Sequence, residues 1–172
     1  MTLNFDSFDT PAGLFSVAFT DDGKIAATAF GPLAALRRRI RAPAKFNAPF
    51  RNEAVRKQVA EYFSGKRRRF ALSLAPHGTE FQTQVWAMLA KIPFGETRTY
   101  GEIAAEVGNP KASRAIGRAN ATNPICLLVP CHRVIGSDGS LTGFAFGEDI
   151  KRQLLEHEGA VNGAAGYFTR HN

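Results

Sequence analysis

Cysteine is scarce in this chain. There are two among 172 residues, Cys126 and Cys131, five positions apart. A disulfide between them would close a very small, strained loop. Both are expected reduced, which places the protein in the cytoplasm. Histidine is nearly as sparse, and the four histidines and two cysteines show no zinc-ligand spacing. No metal and no cofactor are expected. Long apolar runs are missing too: none approaches the roughly 20 residues that a membrane helix needs. Met1 to Thr10 has neither a basic start nor an apolar centre, so it does not read as a secretory signal. Acidic residues are outnumbered, 15 against 22 basic, for a net charge of +7. That balance favours an anionic partner such as nucleic acid.

The basic excess is uneven. Residues 1–80 hold 13 Lys and Arg against 7 Asp and Glu, whereas residues 81–172 hold 9 against 8. The runs Arg37-Arg38-Arg39-Ile40-Arg41 and Lys66-Arg67-Arg68-Arg69 both lie in the first half. Such runs are most often solvated faces, so charge alone does not place a binding site.

The first 30 residues read as β-structure. Leu14–Phe19 and Lys24–Phe30 flank Thr20-Asp21-Asp22-Gly23, a hairpin signal. Pro32 to Ile40 suits a short helix, and Ala42 to Phe50, with two prolines, suits a loop. Asn52 can cap a helix whose apolar residues Val55, Val59 and Phe63 recur every four positions. Phe70 to Leu74 reads as a further strand. Pro76-His77-Gly78 marks a boundary between an N-terminal α/β domain, 1–78, and a second domain, 79–172. The second half is mostly helical. Thr79 caps a segment with Phe81, Val85, Leu89 and Ile92 on one face. Tyr100–Val107 and Lys111–Ala121 flank the turn Gly108-Asn109-Pro110, a helix-turn-helix pattern. Ile125 to Val129 reads as a buried strand, and Glu148 to Glu158 as a final helix with Ile150, Leu154 and Leu155 inward. The expected fold is α+β: a β-sheet and helix domain followed by a helical domain with a winged helix-turn-helix-like motif.

Chemistry concentrates in Pro130-Cys131-His132-Arg133-Val134. The thiolate is the reactive form of cysteine, and a nearby imidazole can take the thiol proton. Pro130 fixes a backbone dihedral just before the thiol. On a continuing strand Cys131 and His132 would face opposite ways. A turn or helical start at Pro130 would let them communicate, and Glu158 is the downstream candidate to orient His132. A buried, inert cysteine is the alternative reading of Cys131, and Cys126, between Ile125 and Leu127, fits that description well.

From about Phe81 to Gly159 the chain resembles the O6-alkylguanine-DNA alkyltransferases, or methylated-DNA–protein-cysteine methyltransferases. The matching text includes Phe81-Gln82-Thr83-Gln84-Val85-Trp86, Ile92-Pro93-Phe94-Gly95-Glu96-Thr97, Thr99-Tyr100-Gly101-Glu102-Ile103-Ala104 and Gly108 to Gly117. Asn123-Pro124, Pro130 to Ile135 and Leu154 to Gly159 complete it. The resemblance implies direct, irreversible transfer of the alkyl group from guanine O6 to Cys131, once per molecule. It implies that His132 and Glu158 form a relay to Cys131 through one water, and that Tyr100 presses on the DNA backbone and donates a proton to the leaving base. Arg114 would fill the space of the extruded nucleotide. Tyr100, Ala115, Asn123 and Arg133 would join it in the DNA-binding set, with Asn123 bracing the turn before the active-site segment. The implied partner is double-stranded DNA carrying O6-alkylguanine, held through its minor groove with the target base extruded. The protein is expected to act as a monomer.

The chain departs from the family in one loop. Gly143-Phe144-Ala145-Phe146-Gly147-Glu148 stands where relatives carry a Gly-Tyr-x-Gly-Gly-Leu-like stretch, so Phe144, Ala145 and Phe146 are the expected pocket lining. Phe146, in place of a glycine, is expected to point inward and restrict the pocket. Inactive relatives replace the cysteine; this chain keeps it. The alternatives are a binder of alkylated DNA without transfer activity and a cysteine hydrolase built on Cys131, His132 and Glu158.

Overall fold

A computed structural model describes residues 1–160. The expected extension of the second domain over 161–172 lies outside the described residues. The chain divides into two compact units. Met1–His77 forms the first together with Pro124–Cys126; Gly78–Asn123 and the chain from Leu127 onward form the second. No helix among the described residues is long and apolar enough to cross a membrane.

In the first unit β1 (Thr2–Thr10), β2 (Gly13–Phe19) and β3 (Ile25–Phe30) form an antiparallel meander. The two-residue β4 (Lys45–Phe46) pairs in parallel with β1, giving the order β3-β2-β1-β4. The expected hairpin is present, with Gly23 at φ +86° in its turn. The loop expected over 42–50 thus contains one short strand. Phe15 to Phe19 and all of β3 are buried, so neither strand shows an exposed face. The outer edge of β3 is occupied. Ile25 exchanges backbone hydrogen bonds with Ser73 and Ala75, and the Thr28 amide donates to the Pro124 carbonyl. The Thr28 hydroxyl donates to the Cys126 carbonyl at 2.7 Å.

The helix α1 (Leu33–Arg37) precedes β4, and α2 (Glu53–Phe63) follows it. Asn52 caps α2, its Oδ1 accepting from the Val55 amide at 3.0 Å. Val55, Val59 and Tyr62 are its buried residues; Tyr62 takes the place expected of Phe63. Asp6 on β1 ties the helix to the sheet by accepting from Arg56 Nε and Nη2, both at 2.7 Å, and from the Asn52 amide. Phe70 to Leu74 is not a strand: only Leu74 forms a single bridge, to Ile25. The reason lies in competing partners, because the Gln58 side chain takes both the amide and the carbonyl of Ala71.

The second unit begins with α3 (Glu80–Leu89), closed by a capping box between Thr79 and Gln82. A second box, Thr99 with Glu102, starts α4 (Tyr100–Glu106). Gly108, at φ +84°, ends α4 in the left-handed conformation. The turn leads into α5 (Ser113–Ala121). Trp86 Nε1 on α3 donates to the Ala119 carbonyl of α5 at 2.8 Å. A two-stranded parallel sheet joins β5 (Arg98–Thr99) to β6 (Val134–Ile135). The last helix is α6 (Glu148–His157).

Ile125 to Val129 is buried as expected but is not a strand. Only isolated bridges form, and Leu127 sits at φ +72°. The Val129 carbonyl is taken by the Cys131 amide at 2.7 Å and by Asn123 Nδ2 at 3.0 Å, so a ladder has no use of it. Pro130, at φ −79° and ψ +64°, is the centre of this inverse γ-turn. Asn123 is 1% exposed. It braces the turn from inside and is not a DNA-facing residue. Replacing Asn123 with Ala is expected to cost about 1–3 kcal/mol, the usual penalty for breaking a buried hydrogen bond. Urea denaturation measures it; an unchanged midpoint would mean that the bond does not hold the turn.

Candidate active site

The γ-turn at Pro130 delivers Cys131, His132 and Arg133 as one turn of 3-10 helix. Successive residues of such a turn diverge by about 120°, so the three side chains do not share a face. Cys131 is 4% exposed and His132 fully buried. The Cys131 carbonyl is held by Asn120 Nδ2 of α5 at 3.2 Å.

Glu158, at the C-terminal end of α6, meets this turn. Its Oε2 lies 2.8 Å from His132 Nε2. Arg133 Nε donates to Oε1 at 2.8 Å and Nη2 to Oε2 at 3.0 Å. The Gly95 amide adds a longer bond to Oε1, 3.3 Å. Arg133 Nη1 donates to the Ile92 carbonyl at 2.7 Å. The expectation that Arg133 contacts DNA is therefore overturned. It is 6% exposed and spends all three guanidinium nitrogens inside the protein.

Burial works against a charged Glu158, but the charge and hydrogen bonds of His132 and Arg133 outweigh it and hold the carboxyl well below its usual range. An ionised carboxylate only accepts, so His132 Nε2 carries the hydrogen and Nδ1 keeps a lone pair. That Nδ1 is buried with no hydrogen-bond partner among the described residues. Burial pushes the imidazole below its ordinary 6.5, with Arg133 and Lys151 adding to the effect and Glu158 opposing it. At neutral pH the site is thus a neutral imidazole, with one basic nitrogen, oriented by an anion.

Lys151 is a site residue that the sequence reading passed over. It lies on the apolar face of α6 with Leu154 and Leu155, and it is fully buried. Its spacing of three and four from those leucines was the available signal. Nζ donates to the Val134 carbonyl at 2.5 Å and to the Thr142 carbonyl at 3.3 Å. Burial brings its pKa down to about 8, opposed by the charge of Cys131.

Tyr100, the first residue of α4, also donates to Thr142, its hydroxyl 2.8 Å from that carbonyl. Burial raises the phenol to about 12, and the charge of Cys131 adds to the shift. Gly143 follows Thr142 at φ +86°, where a Cβ would stand 2.5 Å from the Tyr100 hydroxyl. Glycine is required there on both counts. Beyond it, Phe144 is 8% exposed, Ala145 is exposed and Phe146 is half-buried. The Phe146 ring packs edge-on against Phe144, centroids 5.6 Å apart. This replaces the expectation of a ring pointing freely into a pocket. On α5 Arg114 is exposed and Ala115 half-buried, whereas Ala119 turns into the core.

The depressed acid constants of His132 and Glu158 shape the response of this site to acid. A group whose folded pKa lies below its unfolded value stabilises the fold above the unfolded value and loses that contribution as pH falls. For His132 the loss begins below its ordinary 6.5, and for Glu158 it begins only below its ordinary 4.5. Stability measured by denaturant titration is expected to fall as pH drops below 6.5. A stability that stays constant down to pH 4.5 would show that His132 is not held neutral.

Residues 80–160 match the family model described as the DNA-binding domain of 6-O-methylguanine DNA methyltransferase. A methylated-DNA–protein-cysteine methyltransferase of Methanosarcina acetivorans is 60% identical over 114 residues, covering 66% of this chain and 72% of that protein. The crystal structure of the Mycobacterium tuberculosis O6-methylguanine methyltransferase superposes with a TM-score of 0.79 at 36% identity, covering 95% of this chain and 97% of that one. The Mycobacterium tuberculosis OGT in complex with DNA gives a TM-score of 0.79 at 39% identity, over 90% and 92% of the two chains. With a cysteine, an imidazole and a carboxylate gathered in the matched region, the chain belongs to the methylated-DNA–protein-cysteine methyltransferase family.

Proposed function

We propose that this protein repairs DNA by moving the alkyl group from O6 of guanine to Cys131, irreversibly and once per molecule. The observation that carries the reading is the Cys131 turn, with His132 fixed by Glu158 at 2.8 Å and Nδ1 left as the base. The thiol proton passes to His132 Nδ1 through a bridging water. The thiolate attacks the alkyl carbon; the S–C bond forms and the O6–C bond breaks. The electron pair stays on guanine, which takes up one proton and leaves neutral. Tyr100, whose phenol stays protonated up to about pH 12, is the donor. The balance requires no cofactor, and the thioether persists.

The chemistry is assigned to the second unit, Gly78–Asn123 with the described chain from Leu127 to Ala160, and Met1–His77 with Pro124–Cys126 forms the N-terminal unit. The target atom is hidden in a duplex, so the base must be extruded. The helix α5 enters the minor groove, with exposed Arg114 in the space left by the base and Ala115 allowing close approach. Phosphate contacts make affinity salt-dependent and weakly dependent on sequence. A cytoplasmic monomer is proposed, in keeping with two buried cysteines that form no disulfide among the described residues.

Intact mass followed by peptide mapping after incubation with O6-methylguanine DNA tests this. One added methyl group is expected, on the peptide containing Cys131. Binding without mass gain would favour the non-transferring alternative; label on Cys126 would displace Cys131.

Phe146 rests on Phe144, so its removal is expected to loosen the loop without opening a pocket. The contact is worth about 0.5–1.5 kcal/mol. In Phe146→Gly the ratio of benzyl to methyl transfer rates is expected to match wild type while both rates decline. A selective rise in the benzyl rate would instead place the ring against the substrate.

A further inference from the structure

Glu158 has more partners than a carboxylate needs to orient one imidazole. His132 uses one oxygen; Arg133 reaches both, from Nε at 2.8 Å and Nη2 at 3.0 Å. We propose that Arg133 is a positioning residue of the relay: by clamping both oxygens of Glu158 it fixes the carboxylate plane and keeps His132 Nε2–H aimed at Oε2, leaving Nδ1 alone to take the thiol proton. The inference rests on the transfer reaction proposed above.

A carboxylate held by a single partner can turn about its own side-chain torsion and carry the imidazole with it. A planar guanidinium fork removes that freedom, because its two parallel bonds specify the plane as well as the distance. Arg133 is itself anchored by Nη1 to the Ile92 carbonyl, just before the Pro93-Phe94-Gly95 turn, and its guanidinium carbon lies 5.9 Å from the Phe94 ring centroid. The Gly95 amide of the same turn reaches Oε1. The turn after α3 thus supports the arginine from one side and the carboxylate from the other.

The second consequence is electrostatic. The charged groups acting on His132 are Glu158 and Lys151 of α6 and Arg133 of its own turn. The helix α3, which also packs on this turn, carries only Glu80, exposed at its first position. Glu158 favours the imidazolium, and Arg133 opposes it. Without the arginine, no guanidinium would offset the pull of the carboxylate on His132. The imidazolium would form more readily, and Nδ1 would be protonated before the thiol could use it.

The test follows His132 by NMR of its imidazole, which needs no transfer, alongside single-turnover transfer rates across pH. In Arg133→Met the His132 midpoint is expected to rise by about half a unit or more. The acid limb of the rate is expected to move with it, and the rate near pH 7.5 to fall roughly tenfold. A folded Arg133→Met whose His132 midpoint and acid limb match wild type would overturn the proposal and leave Arg133 as a structural ion pair. Loss of the arginine strands a buried carboxylate and can unfold the chain. Arg133→Lys then decides, since it retains the charge without the fork. It is expected to keep the His132 midpoint near wild type while transfer slows severalfold, and transfer at the wild-type rate would overturn the proposal. If wild type itself adds no methyl group, the transfer reading fails, while the NMR arm still reports whether Arg133 controls His132.

Discussion

Everything at this site depends on one carboxylate. Glu158 accepts from an imidazole, a guanidinium fork and a backbone amide. A buried negative charge with fewer donors would be costly, and here the donors come from residues that must themselves be placed. The 3-10 turn supplies two of them in succession, and the Gly95 turn supplies the third. Satisfying the charge therefore fixes the relative position of the end of α6, the turn after α3 and the segment after Pro130.

The same economy recurs at two carbonyl groups. Val129 accepts from Asn123 and from the Cys131 amide, which shapes the bend into the site. Thr142 accepts from Tyr100 and from Lys151, which fastens the loop preceding Phe144 to α4 and α6 together. A carbonyl oxygen has two lone pairs; at Val129 they hold a local bend, and at Thr142 they join segments from two helices. The cysteine turn and the aromatic loop are thus built from shared acceptors and contain little repetitive secondary structure.

The elements that were legible in the sequence are those that announce themselves locally. Asp22-Gly23 marked the hairpin, and Asn52 and Thr79 lie where helices begin because their side-chain oxygens satisfy the first free amides. Phe70–Leu74 and Ile125–Val129 had strand composition, but composition does not say who takes the hydrogen bonds. Gln58 claimed one segment; Asn123 and the γ-turn claimed the other. The pairing of His132 with Glu158, 26 residues on, was readable from the motif beside Cys131. Arg133 was misplaced because a basic residue in a DNA-repair motif suggests phosphate, and nothing local shows that a carboxylate 25 residues away has claimed it. Lys151 was overlooked for the complementary reason: a lysine at an apolar position is readable from spacing, but its two carbonyl acceptors lie on other elements.

The edge of β3 has an implication for dissecting this protein. Pro124–Cys126 is part of the first unit although it lies far along the chain, and its carbonyls serve the Thr28 amide and hydroxyl. A single cut near residue 78 would not release two self-sufficient halves. The N-terminal fragment would keep a β3 whose edge had lost its cover at Thr28, a template for pairing with other chains. The C-terminal fragment would carry the acceptors at Pro124 and Cys126 without their donors, only a few residues before Cys131.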